Sequence, residues 1–444
     1  MPDPMTSPRA RELALVVGFL LAIGSVPLTQ TALEVARGGR VLVTDVFRTR
    51  PTAAHLRQFE DALEKSSWIQ QRGRPLIQEF LFATLRNPGS QIVLGSADWL
   101  FYRPDVRYLI EPDLPDAAPV DSRWIEPGAG RTRQANVART IVRFRDQLRE
   151  RGIDLVVMPV PGKPAVYPDR FRPRPAGPPP ALESPTRQLL DALEREGVPA
   201  VDLLAMFQAA RGSGGSSDAA PPLYLERDTH WTPAGARLAA RAAAQRLREL
   251  GVAPAASRQF QTDQATVQRW GDLLDLMPVR GIRDACEPET VVAEQVRDAD
   301  LGLLVPSASD RPGTCRFPGQ SATVLVLGDS FCRIYQYAEP ASLDARPSIG
   351  PARAGHAGSE RGRRPLLPGS AGFISHLALA LGAPVDAIVS DGGASTDVRR
   401  RLSTDREILE GKRVVIWEFV ERDIARGQAG WEDVPLPAPL DSAL

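Results

Sequence analysis

Short apolar runs alternate with longer amphipathic stretches from residue 152 to about residue 425. Runs of valine, leucine and isoleucine predict buried strands, whereas apolar residues spaced three or four apart predict helices. The predicted strands are 153–159, 198–204, 323–327, 385–389 and 413–419. The predicted helices are 185–196, 233–250 and 371–381. This alternation predicts an α/β fold with a mainly parallel sheet flanked by helices.

The pattern before residue 150 is mostly helical. Helical spacing occurs at 51–63 and 135–151, and a loop rich in proline and aspartate is predicted at 111–133. Segments 211–222 and 338–370 are rich in small residues, proline or arginine. Such low complexity contributes little to a core, so we expect loops or insertions there.

An uncharged stretch, residues 13–33, follows Arg9 and Arg11 near the N-terminus. About 20 apolar residues in a helix can cross a bilayer, whereas a secretory signal has a shorter apolar core and a small-residue cleavage site. No clear cleavage site is present, which favours an uncleaved anchor over a cleaved signal. The expected organisation is an anchor or signal at 1–40, one α/β domain at 41–430 with a helical first part at 41–150, and a flexible tail at 431–444.

Composition narrows the classes of function. Apolar residues make up 43% of the 444-residue chain, which is enough for a sizeable core and argues against global disorder. The 54 basic residues balance 54 acidic ones, so the net charge gives no reason to expect nucleic-acid binding. The sequence contains no Cys/His cluster with metal-ligand spacing. We expect neither a metal nor another cofactor.

The three cysteines leave two interpretations open. Cys286 and Cys315 lie in a region rich in proline and glycine and could form a disulfide in an oxidising compartment, which would leave Cys332 unpaired. Three free thiols are the alternative.

The first segment that could carry chemistry is TVLVLGDSF, residues 323–331. A predicted strand ends there in Gly328-Asp329-Ser330. Active sites of open α/β sheets lie at the carboxyl ends of the strands, where a serine hydroxyl is exposed and its free N–H can stabilise an oxyanion. The alternative is an ordinary turn, because glycine, aspartate and serine are common turn residues.

The second segment is ERDTHWTPAG, residues 226–235. Asp228 and His230 lie directly before a helix that Thr232 caps and Pro233 begins. A neutral imidazole can accept a serine proton when a carboxylate orients its other nitrogen. The alternative is a surface pair that only caps the helix. Because the chain has only four histidines and the other three lack such a context, an Asp–His–Ser triad with Ser330 is the preferred interpretation.

Five segments together resemble the AlgJ/AlgX-type O-acetyltransferases, which are SGNH hydrolase-like. Gly328-Asp329-Ser330 resembles the nucleophile block of SGNH hydrolases, and Asp-x-His precedes the serine as in the permuted order of this family. The other similar segments are GSADWLFYRPD (95–105), LVVMPVPGKPAVYPD (155–169), DTHWTPAGARLAA (228–240) and VVIWEFVERDI (414–424). The resemblance covers roughly residues 90–425, and five weak motifs in the right order are specific.

The resemblance implies a nucleophile at Ser330, a base at His230 and an orienting acid at Asp228. It implies transfer of an acetyl group to hydroxyls of an exported polysaccharide, such as alginate. It also implies a periplasmic location at the inner membrane and a membrane-bound acyltransferase partner that supplies acetyl groups. The alternatives are a carbohydrate acetyl esterase, in which water attacks the acyl-serine, and a non-catalytic polysaccharide-binding or assembly subunit.

The oxyanion hole departs from the SGNH pattern, which typically uses an asparagine side chain. The chain has only Asn87 and Asn136, and neither matches a core motif. The candidate donors are the Ser330 N–H and the Gly392-Gly393 turn after strand 385–389. A plain strand-exit turn is the alternative for the two glycines.

Four further residues are candidates for contacts with substrate, each with a structural alternative. Lys163 either lies at the site or is a solvated loop charge, and Tyr167 either lines the same cleft or packs. Trp231 either stacks on a sugar ring or packs in the core. Arg333 either binds an anionic acceptor such as a uronate or lies on a helix surface. Cys332 has no base motif and is predicted to be a buried thiol.

Overall fold

The computed structural model describes residues 8–38, 41–47, 52–68, 72–110, 129–171, 184–212, 221–279, 281–308, 313–318, 321–337, 369–426 and 430–437. The predicted insertion at 338–370, the loop at 111–133 and the segment at 211–222 lie largely outside the described residues. The chain divides into two compact units, residues 1–89 with 278–281 and residues 90–277 with 282–444. This division lies near residue 90, and the boundary expected at residue 40 falls inside the first unit.

The strands in chain order are β1 (Ile92–Leu94), β2 (Leu100–Tyr102), β3 (Asp154–Val160), β4 (Phe260–Arg269), β5 (Glu289–Asp298), β6 (Ser307–Ala308), β7 (Thr314–Arg316), β8 (Val324–Gly328), β9 (Val385–Val389) and β10 (Val414–Val420). Six of them form the main sheet in the order β3-β10-β8-β9-β7-β6. The first four strands in that order are parallel, and β7 and β6 continue the sheet antiparallel. β1 pairs with β2 and β4 with β5 as antiparallel hairpins.

The helices in chain order are α1 (Pro8–Ala36), α2 (Ala53–Ser66), α3 (Arg74–Leu85), α4 (Arg103–Ile110), α5 (Ala129–Arg149), α6 (Lys163–Val166), α7 (Pro168–Phe171), α8 (Thr186–Arg195), α9 (Leu203–Gly212), α10 (Pro233–Glu249), α11 (Asp272–Asp275), α12 (Ser330–Arg333), α13 (Phe373–Leu381), α14 (Asp397–Thr404) and α15 (Arg422–Arg426). Short 3-10 helices span Leu42–Phe47 and Arg406–Leu409.

Helices cover both faces of the sheet, and successive side chains of one strand enter different cores. Val156 and Met158 of β3 pack in the core that α9, α10 and α13 complete. Leu155 and Val157 pack in the core that α5, α8 and α14 complete. Because both faces are buried, the parallel strands read as continuous apolar runs. The predicted fold class is confirmed.

One predicted strand needs correction, and one hairpin was not predicted. Segment 198–204 is not a strand, because Ala200 forms only an isolated bridge to Val157 and α9 begins at Leu203. The sequence also gave no indication of the β4–β5 hairpin, whose ten-residue strands pair from Phe260↔Asp298 to Arg269↔Glu289. Much of β4 is exposed and polar, so it lacks the apolar run that marks the parallel strands.

The first unit contains one long apolar helix. Residues Leu15–Ala36 of α1 are long and apolar enough to cross a membrane, and none of this stretch is buried in the protein. This fits either a membrane anchor or a signal sequence. At the other end of the chain, part of the predicted flexible tail packs on the second unit: Trp431 lies 5.0 Å from the Phe419 ring, and Val434 is buried.

Candidate active site

The candidate nucleophile lies where β8 ends. Asp329 caps α12 by accepting a hydrogen bond from the Phe331 N–H at 2.8 Å, and its second oxygen accepts one from the Val420 N–H at 3.1 Å. Ser330 is the first residue of α12. A side chain at Gly328 would lie 2.6 Å from Glu418 Oε2, so only glycine fits this turn. The Ser330 hydroxyl is thereby held at the carboxyl edge of the sheet.

The candidate base lies in the loop before α10. Thr232 caps this helix, as predicted, by accepting a hydrogen bond from the Gly235 N–H at 3.2 Å. Asp228 Oδ1 accepts one from the His230 backbone N–H at 3.0 Å, a local bond that the two-residue spacing permits. The short Asp-x-His spacing thus turns both side chains to the same side of the loop.

The three predicted side chains meet at one edge of the sheet. His230 Nε2 lies 2.8 Å from Ser330 Oγ, although the residues are 100 positions apart. His230 Nδ1 lies 2.7 Å from Asp228 Oδ1. Asp228 is fully buried and His230 is 8% exposed. The arrangement is that of a Ser–His–Asp hydrogen-bonded chain, which can move a proton from the serine hydroxyl to the imidazole.

Two residues that the sequence did not suggest extend this chain of hydrogen bonds. Arg269, at the end of β4, donates through Nε to Asp228 Oδ2 at 2.6 Å. Asp272, at the start of α11, donates its N–H to the same oxygen at 3.1 Å. The Asp272 carboxylate accepts hydrogen bonds from the Thr229 N–H and hydroxyl, and its Oδ2 lies 3.4 Å from His230 Nδ1. Every oxygen of Asp228 therefore has a donor, and His230 faces two carboxylates.

The neighbouring charges and hydrogen bonds shift the pKa values of His230 and Asp228. Burial would lower the pKa of His230, but the hydrogen bonds and charges of Asp228 and Asp272 outweigh it and raise that pKa to about 9. Burial would raise the pKa of Asp228, but the Arg269 charge and the hydrogen bonds from His230 hold that pKa well below its usual range. The carboxylate of Asp228 stays ionised, and His230 is a strong base.

Lys163 does not lie in a substrate cleft. It is 1% exposed, and its Nζ donates to the carbonyl oxygens of Leu225, Glu226 and Asp228 at 2.9, 2.8 and 2.8 Å. Burial lowers the pKa of Lys163 to about 8, against the opposing effect of nearby carboxylates such as Glu289. The lysine is not a solvated charge and is not open to substrate; it lies at the candidate site, where it fastens the loop that carries Asp228 and His230.

The aromatic candidates pack rather than face substrate. The Tyr167 hydroxyl accepts a hydrogen bond from the Leu223 N–H at 2.8 Å, and its ring lies 4.6 Å from that of Trp99. Trp231 is fully buried, with its ring 5.1 Å from that of Phe331. For Tyr167 and Trp231, packing is the alternative that the structure supports.

The remaining substrate and oxyanion candidates are Arg333 and the Gly392-Gly393 turn. Arg333 Nε donates to Asp391 Oδ1 at 2.6 Å, so its charge already has a partner. The Gly393 N–H donates to the Ser390 carbonyl at 2.9 Å and is used within the turn, which removes it as an oxyanion donor. Gly392 has φ 62°, and its turn is tied to β8 because the Ser390 N–H donates to the Gly328 carbonyl.

The Ser330 N–H is better placed than either glycine. Within the described part of the chain it donates no hydrogen bond, as expected for the first residue of a helix. It therefore remains a candidate oxyanion donor, and Gly392 remains a candidate for the second donor.

The three cysteines are free thiols, which is the second of the two interpretations left open, and no Cys286–Cys315 disulfide is present. Cys315 is buried in β7, where its Sγ lies 3.0 Å from the Tyr337 hydroxyl, and Cys286 lies in the loop before β5. Cys332 is buried and donates to Glu418 Oε2 at 3.2 Å. Burial, together with the Glu418 charge, raises the pKa of Cys332 well above its usual value, so the thiol is a poor nucleophile.

Among the described residues, one group has the spacing of a metal site. Ligand atoms of Asp228, His230 and Asp272 lie within 4.8 Å of one another. The carboxylate of Asp228 already accepts a hydrogen bond from Arg269, and that of Asp272 accepts one from Thr229. The positive charge of Arg269 offsets part of the negative charge of the two carboxylates. This donor set fits a hydrogen-bonded triad.

Comparison with known proteins connects this geometry with a family. Residues 92–346 match the family described as SGNH hydrolase-like domain, acetyltransferase AlgX. The probable alginate O-acetylase AlgJ of Pseudomonas syringae pv. tomato is 24% identical over 417 residues, covering 93% of this chain and 88% of that protein. The corresponding protein of Pseudomonas putida is 25% identical over 337 residues, covering 74% and 69% of the two chains.

A solved structure shares the fold. The O-acetyltransferase domain of Pseudomonas putida AlgJ superposes with a TM-score of 0.51 at 23% identity, covering 76% of this chain and 93% of that one. The family match spans more than half of the 444 residues and includes Asp228, His230 and Ser330. The resemblance inferred from the motifs is confirmed, and the chain belongs to the SGNH hydrolase-like acetyltransferase family of AlgX.

Proposed function

We propose that this protein is an O-acetyltransferase that carries an acetyl group on Ser330 and passes it to hydroxyls of an exported polysaccharide. The observation that carries the proposal is the contact of 2.8 Å between His230 Nε2 and Ser330 Oγ, with Asp228 2.7 Å from the other imidazole nitrogen. Membership of an acetyltransferase family supports acyl transfer as the reaction class. The names of the AlgJ relatives support a polysaccharide such as alginate as acceptor.

In the first step Ser330 Oγ attacks the carbonyl carbon of an acetyl ester or thioester donor. The serine proton moves to His230 Nε2, and the Ser330 N–H is available to the oxyanion that forms on the carbonyl oxygen. The intermediate collapses, the bond to the leaving group breaks, and the leaving group takes the proton from His230. The products are acetyl-Ser330, the free leaving group and a neutral imidazole.

In the second step a sugar hydroxyl attacks acetyl-Ser330. Its proton moves to His230 Nε2, and collapse of the oxyanion breaks the bond to Ser330 Oγ, which recovers that proton. Two carboxylates beside His230 Nδ1 stabilise the imidazolium of both steps. If water attacks in place of the sugar, the same groups act as an esterase, so the outcome depends on the acceptor.

We also propose that α1 is retained as an anchor at the outer face of the inner membrane. Support comes from its contacts with the first unit: Gln30 Nε2 donates to the Ser66 carbonyl at 3.3 Å, and Gln30 Oε1 accepts from the Trp68 N–H at 3.0 Å. Cleavage after Gln30 would remove these contacts. A membrane-bound acyltransferase that supplies acetyl groups is the partner we expect.

The test compares the full chain with Ser330→Ala, using an activated acetyl ester with and without mannuronate or neutral oligosaccharides. We expect acetylated oligosaccharide by mass spectrometry with the unaltered protein and none with Ser330→Ala. Ser403→Ala, which alters an exposed hydroxyl on α14, is the matched control and is expected to be fully active. Release of acetate without any acetylated acceptor would identify an esterase, and inactivity of all proteins would favour a binding subunit.

A further inference from the structure

Helix α3 has an apolar face that the described protein leaves uncovered. Leu76, Ile77 and Phe80 are 58%, 59% and 64% exposed. Leu76 and Ile77 lie four and three positions before Phe80, a spacing that places both next to Phe80 in one apolar stripe. Soluble proteins seldom expose contiguous large apolar side chains without a binding role, so this face needs an occupant.

The position of α3 along the first unit identifies the occupant. The uncharged stretch of α1 ends at Leu33, and Gln30 in its last turn is hydrogen bonded to the Ser66 carbonyl and the Trp68 N–H. The end of α2 therefore lies at the level at which α1 would leave a bilayer. Helix α3 begins at residue 74, six residues after Trp68, a distance of roughly 20 Å at full extension.

The polar residues of α3 fit the same position. Arg72 and Arg86 are exposed near the two ends of the helix, where their stems can lie along apolar surface while their charges meet lipid phosphates. Gln78, on the side opposite Phe80, donates to the Asn87 carbonyl and stays with the protein. With 12 residues α3 is too short to cross a bilayer, and an apolar helix of this length that is not buried suits the interface.

We propose that α3 lies in the surface of the bilayer that α1 crosses, with Leu76, Ile77 and Phe80 among the acyl chains. This inference rests on retention of α1 as an anchor and is independent of the chemistry at Ser330. The first unit is then attached to lipid at two places. A chain with one span and one interfacial helix has less rotational freedom at the membrane than a chain with the span alone.

The test uses the full chain with Cys286→Ser, because the other two thiols are buried. A nitrobenzoxadiazole dye is attached to Phe80→Cys or, as a control on the opposite side of the same helix, to Gln78→Cys. Each protein is reconstituted in vesicles of phosphatidylethanolamine and phosphatidylglycerol, and alkaline extraction first establishes that α1 is integrated. Fluorescence quenching is then measured with acyl-chain spin-labelled lipid and with aqueous iodide.

We expect lipid spin label to quench the dye at position 80 at least threefold more than the dye at position 78, and iodide to show the reverse order. Equal iodide quenching at both positions would place the helix in water and overturn the proposal. Protection of position 80 from both quenchers would also overturn it, since protein and not lipid would then cover the face. Loss of the anchor would instead be seen in the extraction step, before either quencher is added.

Discussion

At the residue scale, Asp228 and Asp272 together raise the pKa of His230, which sets the pH range in which we expect it to act as a base. Only the neutral imidazole accepts the serine proton, and the pKa of His230 is raised to about 9 by Asp228 and Asp272 despite burial. We therefore expect kcat/KM for an acetyl ester to rise with pH until about 9. Asp272→Asn removes one carboxylate, lowers the pKa of His230 and moves the rising limb to lower pH by about one unit.

The pH profile of Asp275→Asn is the control for this prediction. Asp275 lies on the same short helix but pairs with Arg283 at 2.6 Å, away from the imidazole. Its profile should match that of the unaltered protein. If the rising limb of the pH profile is unchanged in Asp272→Asn, the second carboxylate has no influence on the pKa of His230.

Replacement of Lys163 is predicted to lower the stability of the protein. Replacement by methionine keeps the apolar stem but leaves the buried carbonyl oxygens of Leu225 and Asp228 without this donor, whereas the Glu226 carbonyl keeps a hydrogen bond from the Leu100 N–H. Each orphaned acceptor costs about 1–3 kcal/mol, and with partial relaxation we expect a loss of about 2–4 kcal/mol in the free energy of unfolding. Chemical denaturation measures it, and a loss below about 0.5 kcal/mol would mean that the lysine does not hold the loop.

The residues of the triad could be predicted from sequence because each lies in a motif next to an element boundary. Asp228 and His230 precede a capped helix, and Ser330 follows a strand. Arg269 and Asp272 could not, since their role comes from the β4–β5 hairpin, which brings them to Asp228 only in the folded chain. The same limit applies to Lys163, which binds the backbone of a loop 62 or more positions later.

At the scale of elements, the turn between β4 and α11 is a tight fit. Gly271 has φ 96°, and a Cβ there would collide with the Arg227 carbonyl and lie 3.0 Å from the Asp228 nitrogen. Gly271→Ala should therefore displace the Asp228 loop, destabilise the protein by about 2 kcal/mol or more and lower kcat. Thermal unfolding and ester hydrolysis measure the two effects.

The Gly251→Ala variant separates the effect of backbone strain from the effect of a steric clash. Gly251 also has a positive φ, 70°, but nothing lies within 4 Å of its Cβ position. This variant should lose only about 1 kcal/mol, the cost of the left-handed backbone, and keep full activity. Equal effects of the two substitutions on activity would contradict the role given to Gly271.

Burial explains which elements the sequence indicated. Strands β3, β8, β9 and β10 have helices on both faces and are mostly apolar, so their apolar runs predict them. Strand β4 is mostly exposed, and its apolar and polar residues alternate only weakly, so its sequence resembles that of a polar loop. The prediction of a strand at 198–204 was wrong because a short apolar run is compatible with either a strand or the start of a buried helix.

At the scale of the whole molecule, the two units should be separable. The second unit contains both major cores and all three residues of the triad. A chain that begins at residue 90 should therefore fold cooperatively, remain in solution without detergent and hydrolyse a small acetyl ester at a rate within about threefold of the full chain. Circular dichroism and ester assays check this, and failure to fold would show that the first unit is part of the same cooperative structure.

The most direct test of the central claim is peptide mass spectrometry of the protein quenched in acid after brief exposure to an activated acetyl ester. The account predicts an acetyl group on Ser330, absent in Ser330→Ala and accumulating far more slowly in His230→Ala. Its removal should be faster with an oligosaccharide acceptor than in buffer. Turnover with no acetyl-Ser330 at any quench time, or acetyl transfer that survives Ser330→Ala, would contradict the account.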